Sequence, residues 1–436
     1  MSAVLDPTVG VDLATDAVQR ALAAGADEAQ VTHVFDEMFE ITFDNHDVSM
    51  VRTTVNDQVT MTVFVGTARG QSSLTGRSPD LVDRAAREAV AAAQAGMPDP
   101  ANGVTHGDSL ALTELGHRTP DKATMLDTVT RHQAFMAEHH PKVLMRDSTY
   151  EFSSTWRSFA NSDGRHHQER RGGYSGTTIF SAKDGDRTTS FNYTAATAVE
   201  PFAELIEMAS LRRLLDDIEA SLDPRAVPTT FVGDLIFTPD SLGDLISPVL
   251  QSITGYALMK GTSPFQESIG TAIASPLLSV ANRPRSPEFP LASSFDGDGV
   301  PAHDLPIITD GVLEHHLIDW YTSRKLERPM TASTFNVAVA PGTLSFDDLV
   351  AGTQRGIVLG RFSGGIPNQK LDFSGVAKNS FYVEDGKVQF AIRETMVAGN
   401  LADLLTSIRG VGDESVNYGG HAFPAVAAGG ATISTK

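Results

Sequence analysis

Between residues 356 and 412 short apolar runs alternate with glycine-rich ones, and no other stretch limits the fold as much. Gly356-Ile357-Val358-Leu359-Gly360 has the length and composition of a buried strand. Phe362-Ser363-Gly364-Gly365-Ile366-Pro367-Asn368-Gln369 and Asp372-Phe373-Ser374-Gly375-Val376 read as a long loop of small and polar residues. Residues 380–383 and 387–390 flank Glu384-Asp385-Gly386, the pattern of a β-hairpin. Arg393-Glu394 and Met396-Val397-Ala398-Gly399-Asn400 then lead into a helix over 401–405. Glycine at this density permits tight turns and close backbone approach. Two readings stay open: a ligand or peptide surface, and a crowded set of β-turns in a sheet domain.

Earlier segments read as an α+β chain. Val11, Ala14, Val18 and Leu22 mark one face of a helix stopped at Gly25. Residues 29–43 and 46–66 read as strands, with turns at Asp44-Asn45 and Asn56-Asp57. Ser78 caps and Pro79 opens a helix to residue 95. A second helix spans 121–138, with Met125, Val129, His132 and Met136 on one stripe. Residues 142–195 suggest a meander of four or five strands, including 143–150, 155–160, 173–180 and 188–193. Pro201 then opens one helix through Leu205, Met208, Leu211, Leu215 and Ile218. Pro224 and Pro228 interrupt both periods, which places a boundary in 221–230 and two domains at 1–225 and 226–436. The first is an antiparallel sheet with packed helices, and the second is β-rich. In the second, a strand over 230–237, a helix over 240–253 despite Pro248, and a strand over 335–340 are expected.

Charge and composition exclude several function classes. Lys plus Arg number 34 against 54 Asp plus Glu, a net charge of -20. A field of that sign opposes general binding to nucleic acid or anionic membranes. The one compact basic cluster is Arg165-His166-His167-Gln168-Glu169-Arg170-Arg171, read as a solvated turn or edge strand or, less readily, a partner contact. There is no cysteine, so disulfides, thiolate catalysis and Cys-based zinc sites are excluded within this chain. The first residues lack the pattern of a signal peptide and no apolar run approaches membrane-spanning length, so a cytoplasmic location is the expectation.

Thirteen histidines never adopt the His-Glu-x-x-His spacing of a peptidase zinc site. The doublets His139-His140, His166-His167 and His315-His316 read as surface or loop residues, since neighbours on a strand face opposite ways. Gly-x-Ser-x-Gly does not occur, and Ser363 has no histidine near it in sequence. Asp372 and Glu394 are weak candidates for paired carboxylates. The segment 321–326 is either a helix with Trp320 and Tyr321 in the core, or a cavity wall from which Arg324 grips a peptide carboxylate.

The order of strand, Gly/Ser loop with an aspartate, Phe-Tyr-Val-Glu-Asp-Gly hairpin and Glu-Thr-Met-Val-Ala-Gly-Asn-Leu resembles the C-terminal domain of the TldD/PmbA family. Ile307-Ile308-Thr309-Asp310-Gly311-Val312-Leu313 and Tyr321-Thr322-Ser323-Arg324-Lys325-Leu326 resemble it too, and the likeness extends more weakly to residue 1. The PmbA (TldE) branch is the nearer. The TldD branch carries His-Glu-x-x-x-His and a distant cysteine ligand. Aligned on Lys260-Gly261-Thr262-Ser263, those positions fall at Ile246, Ser247 and Gln251, and the cysteine region falls near His421. The resemblance therefore implies no catalytic residue and no metal in this chain, with zinc in a TldD-type partner. It also implies a cavity for unfolded or small peptides, near Arg324, Ser363, Gly364, Gly365, Asn368, Asp372 and Glu394. Family members are tied to peptide-antibiotic processing, antitoxin turnover and gyrase modulation. Other readings are a homodimeric peptide-binding or scaffold protein and an enzyme of non-zinc chemistry around Asp372, Glu394 and Arg324. A gyrase or nucleic-acid role is disfavoured by charge.

Overall fold

The computed structural model describes residues 7–331 and 336–435. Its first sheet contains β1 (Glu28–Phe43), β2 (Val48–Val65), β3 (Ala68–Thr75), β4 (Thr113–Gly116), β5 (Val143–Asn161), β6 (His166–Asp184), β7 (Arg187–Thr188) and β8 (Asn192–Ala198). The strand order is β3-β2-β1-β5-β6-β4, with β7 and β8 also on β6. Helices α1 (Pro7–Ala23) and α2 (Pro79–Ala95) cover one end, where alanines and valines let them approach closely. Gly70 shows how closely: a methyl group there would lie 2.0 Å from the carbonyl oxygen of Ala89 in α2. Helices α3 (Lys122–His139) and α4 (Leu211–Ala220) cover the other end, over Phe39, Ile41, Phe43, Tyr150 and Phe180.

The second sheet comprises β9 (Phe231–Phe237), β10 (Val280–Asn282), β11 (Leu305–Thr309), β12 (Val312–Leu313), β13 (Val337–Val339) and β14 (Arg355–Leu359). It continues with β15 (Arg361–Gly364), β16 (Asp372–Lys378), β17 (Phe381–Glu384), β18 (Lys387–Ala391), β19 (Thr395–Asn400), β20 (Ile408–Asn417) and β21 (His421–Ser434). β21 is its hub, pairing with β9, β13, β19 and β20. From it an arm runs outward through β19 and β16 to β15. Five short helices lie between strands: α5 (Gly243–Ser252), α6 (Gly255–Met259), α7 (Trp320–Leu326), α8 (Phe346–Ala351) and α9 (Leu401–Thr406). No helix among the described residues is long and apolar enough to cross a membrane.

Helices α2, α3 and α5 and the 384–386 hairpin form where the sequence pattern placed them. Ser78 precedes α2, although its side chain makes no capping bond. Phe335 lies outside the described residues. Four expectations need correction. Asn56-Asp57 is no turn, because β2 runs straight through it in unbroken register with β1. The expected meander is two long strands, β5 and β6, plus short ones. Glycines 172, 173 and 176 are strand residues at which other elements cross. A methyl group on Gly173 would lie 2.5 Å from Leu291, and one on Gly176 2.4 Å from Met208. The helix expected after Pro201 is a 3-10 turn at Leu205–Glu207 and then α4, separated where Ala209 adopts φ 47°. Finally, Asp372–Lys378 is a strand rather than a loop.

Most of the basic cluster is not solvated: with Arg157 of β5 it ties the first sheet to the segment 290–299. Arg157 donates to Ser293 Oγ (2.8 Å) and to the carbonyls of Phe295 (2.8 Å) and Asp296 (2.6 Å). Arg171 donates to the Pro290 carbonyl (2.9 Å) and Ser294 Oγ (2.6 Å). Glu169, buried between them, accepts from Ser293 Oγ (2.6 Å) and the Ser294 amide (2.7 Å). Burial pushes the Glu169 carboxyl up, but the Ser293 and Ser294 donors together with the Arg171 charge hold it below the ordinary range. His167 accepts from the Leu110 amide and donates from Nε2 to the Gly299 carbonyl (2.7 Å). Each histidine doublet thus splits, with His140, His167 and His316 buried and His139 and His166 exposed.

Two outcomes follow for stability. Glu169→Ala takes the carboxylate from between two half-buried guanidinium groups and should lower unfolding free energy by about 3 kcal/mol, measured by urea titration; Glu169→Gln should cost less. Burial pushes the His132 imidazole down to about 4, with the charge of His140 acting in the same direction. The native state then binds fewer protons than the unfolded chain, so stability falls as pH drops from about 6.5 towards 4. The loss should reach about 3 kcal/mol. His132→Leu should flatten that part of the stability–pH curve.

Candidate functional site

A cleft of about 390 Å³ opens between α5 and the outer arm of the second sheet. Ser241 ties the start of α5 to the sheet by donating to the Leu359 carbonyl (2.7 Å). Apolar residues spaced by three and four turn Leu245, Ile246, Val249 and Leu250 into the core. The same period turns Asp244, Ser247 and Pro248 towards the cleft. Leu235, Phe237 and Leu359 form its floor, and Phe362, Phe373 and Leu401 its far wall. The exposed lip is 364–367, where Ile366 is 97% accessible.

Glycine at two facing positions creates that wall. Gly364 and Gly375 pair across β15 and β16, and the Phe362 ring lies over them. A methyl group on Gly375 would meet that ring at 2.3 Å. Phe362 in turn meets Phe373 edge to face, with ring centres 5.8 Å apart. A neighbouring hollow of about 350 Å³ shares Ser247, Pro248, Ile366 and Pro367 and adds Gln251, Asn368 and Leu371.

The cleft therefore gathers only part of the residue set expected from sequence. Gly364, Gly365 and Ser247 line it, while Asn368 and Gln251 line its neighbour. Ile246 lies in the core. Ser363 alternates with Phe362 and Gly364 along β15 and lines neither cavity. Asp372 accepts from Asn368 (3.0 Å) and Asn400 (2.8 Å), which clamps the lip loop to the cap of α9. Those donors, Asn400 first, hold its carboxyl below the ordinary range. Glu394 pairs with Lys378 at 3.0 Å, at the opposite end of β16. Six residue steps of strand separate Asp372 from Lys378 at Glu394's end, about 20 Å, too far for cooperating carboxylates.

Arg324 does not reach this cleft's lining. It donates to the carbonyls of Asn102 and Pro100 (both 3.0 Å) and lies over the Trp320 ring. Trp320 donates to the Gly103 carbonyl, and Tyr321 and Lys325 both bond Asp99. Helix α7 thus docks on the loop after α2.

Asp244 is the residue that reading the sequence passed over. It is the one ionisable group lining the cleft. Its side chain is solvent-accessible at the mouth of the cleft, yet the surrounding walls crowd it, and the resulting desolvation pushes its carboxyl up to about 6 against the pull of the Phe362 amide and the Arg361 charge. Its position three residues before Ser247, on one helical face, was the available clue.

These donors do not suit a peptidase zinc ion, which needs imidazole, thiolate or several carboxylates. The positions hold an aliphatic, a hydroxyl and an amide side chain at Ile246, Ser247 and Gln251. His421 stacks on Tyr418 (4.6 Å) and Phe423 (4.7 Å). Among the described residues, no group of three or more His, Asp or Glu side chains converges.

Residues 231–435 match the PmbA/TldA metallopeptidase C-terminal domain. The metalloprotease PmbA of Escherichia coli O157:H7 is 26% identical, over 81% of this chain and 80% of that protein. A PmbA homolog of Haemophilus influenzae is 24% identical, over 91% of this chain and 90% of its own length. TldE from Thermococcus kodakarensis shares the fold with a TM-score of 0.82 at 18% identity, covering 97% of this chain and all of that one. Residues 231–435 thus form a domain of the PmbA/TldA metallopeptidase C-terminal family, and most of the chain is similar to PmbA proteins.

Proposed function

We propose that this chain is the metal-free, non-catalytic subunit of a TldD/TldE-type peptidase complex. It forms part of the peptide cavity and positions unfolded or small peptides, while a TldD-type partner holds zinc and the general base. One observation carries the reading: a cleft with an apolar floor and glycine-built wall sits where hydrolytic chemistry would need metal donors, and Ile246, Ser247 and Gln251 supply none. Such a site can bind a side chain without activating water.

A second feature supports pairing with another chain. Residues 49–56 of β2 are exposed throughout, and β3 pairs only with 58–65. One edge of that stretch has no backbone partner among the described residues. Strands of this length are normally covered. The Asp57 carbonyl accepts from the Gly76 amide on the β3 side, so alternation turns the Thr53 amide to the same open edge.

Co-expression with a TldD-type chain from the same cell tests the proposal. The expected result is a one-to-one complex with zinc in the partner, cleaving an unfolded peptide that this chain alone leaves intact. Tight stoichiometric zinc in the isolated chain, or an active partner that never binds it, would overturn the reading. Thr53→Pro should weaken the complex at least tenfold with little change in thermal stability, because the amide it removes faces the open edge.

A further inference from the structure

We propose that the α5 cleft recognises the amino terminus of a peptide that begins with an apolar residue, the side chain resting on Phe237, Phe362 and Phe373 and the α-ammonium on the Asp244 carboxylate. The inference rests on the peptide-binding reading above and names what the cleft selects.

Size sets the first limit. About 390 Å³ lies near the lower end for ligand pockets and accommodates one or two side chains, not a folded element. Chemistry sets the second. Every lining residue except Asp244 is uncharged, and most are aromatic, aliphatic, proline or glycine. A purely apolar occupant would remove water from Asp244 without replacing its hydrogen bonds, which is costly for an ionised group. A carboxy terminus would bring a second negative charge against the first. An α-ammonium satisfies the carboxylate and stands one bond from the carbon that carries the apolar side chain, so both fit a small cavity together. A lysine ammonium stands four methylenes further out and leaves the aromatic wall with only a thin stem to cover.

The groups facing Asp244 are consistent with this role. Arg361 on β15 is the charged neighbour acting on it, and that guanidinium is partly engaged elsewhere, donating to Ser190 Oγ (3.1 Å) and lying over the Phe191 ring. Floor strands β9 and β14, arm strand β16 and helix α9 contribute only Leu235, Phe237, Leu359, Phe373 and Leu401 to the cleft. The Phe362 amide lies on the Asp244 side of β15 and favours the ionised carboxylate. Since burial raises the Asp244 carboxyl to about 6, the ionised form that pairs with an amine is lost as pH falls through that value.

Calorimetry on the full isolated chain, with no partner and no cleavage, separates this inference from the subunit reading. The probes are Phe-Ala-amide, N-acetyl-Phe-Ala-amide and N-acetyl-Lys-Ala-amide. At pH 7.5 the free amine should bind at least tenfold more tightly than either acetylated peptide, and its affinity should fall as pH is lowered from 7 to 5. Asp244→Asn should abolish both the preference and the pH dependence, whereas Asp244→Glu should keep part of each; unchanged thermal unfolding confirms that both variants fold. No measurable binding of the free amine, equal binding of its acetylated form, or an unaffected Asp244→Asn variant would overturn the proposal. Tight binding of the acetylated lysine peptide would overturn the amino-terminal assignment. A complex that assembles and cleaves while these probes fail would leave the subunit role standing and remove only this inference.

Discussion

A carboxylate buried between two guanidinium groups holds the halves of this protein in register. Glu169 reaches from the first sheet to the backbone and hydroxyl of the loop at 293–294, and Arg157 and Arg171 donate to carbonyls on either side. Taking three charges out of water is expensive, so the arrangement persists only because their polar atoms find partners. Its main effect is on geometry: it fixes the irregular segment 290–299 against strands β5 and β6. Helix α7 makes the second tie, with Arg324, Trp320, Tyr321 and Lys325 meeting the loop at 99–103.

Within the second sheet, the C-terminal strand organises everything that shapes the cleft. Val426, Ala427 and Ala428 of β21 are fully buried, and their small size lets β9, β19 and β20 crowd round one strand. The arm carrying Phe362 and Phe373 hangs from β19, while the floor of the cleft comes from β9 and β14. Asp372, Asn368 and Asn400 fasten the lip loop to α9. Binding surface and core are thus continuous, and the cavity's shape is inherited from sheet packing rather than from a separate loop. A site built this way holds a side chain in a defined position without large movement.

Histidine and arginine show where reading one dimension falls short. Within the doublet His166-His167, alternation along β6 was predictable, yet which ring would be buried depended on Gly299 arriving from the other sheet. The cluster from Arg165 to Arg171 looked solvated because its carbonyl partners lie more than fifty residues away in sequence. Nor can a sequence show that Leu291 and Met208 pass over the vacant positions at Gly173 and Gly176. Gly364 and Gly365, which the resemblance placed near a cavity, line the α5 cleft, whereas Asp372 was given an open cleft although its neighbours occupy its oxygens.

The residues alone established the α+β class, the 384–386 hairpin and the helices with a clear period of 3.6, because each depends on local spacing or on residue identity. Tertiary structure decided that Arg324 braces a loop, that Asp372 and Glu394 stand at opposite ends of a strand, and that Asp244 faces an apolar cleft. Those outcomes depend on which distant segment comes to lie against a side chain and displaces its water. Desolvation of that kind arises from packing in three dimensions, so no local pattern encodes it.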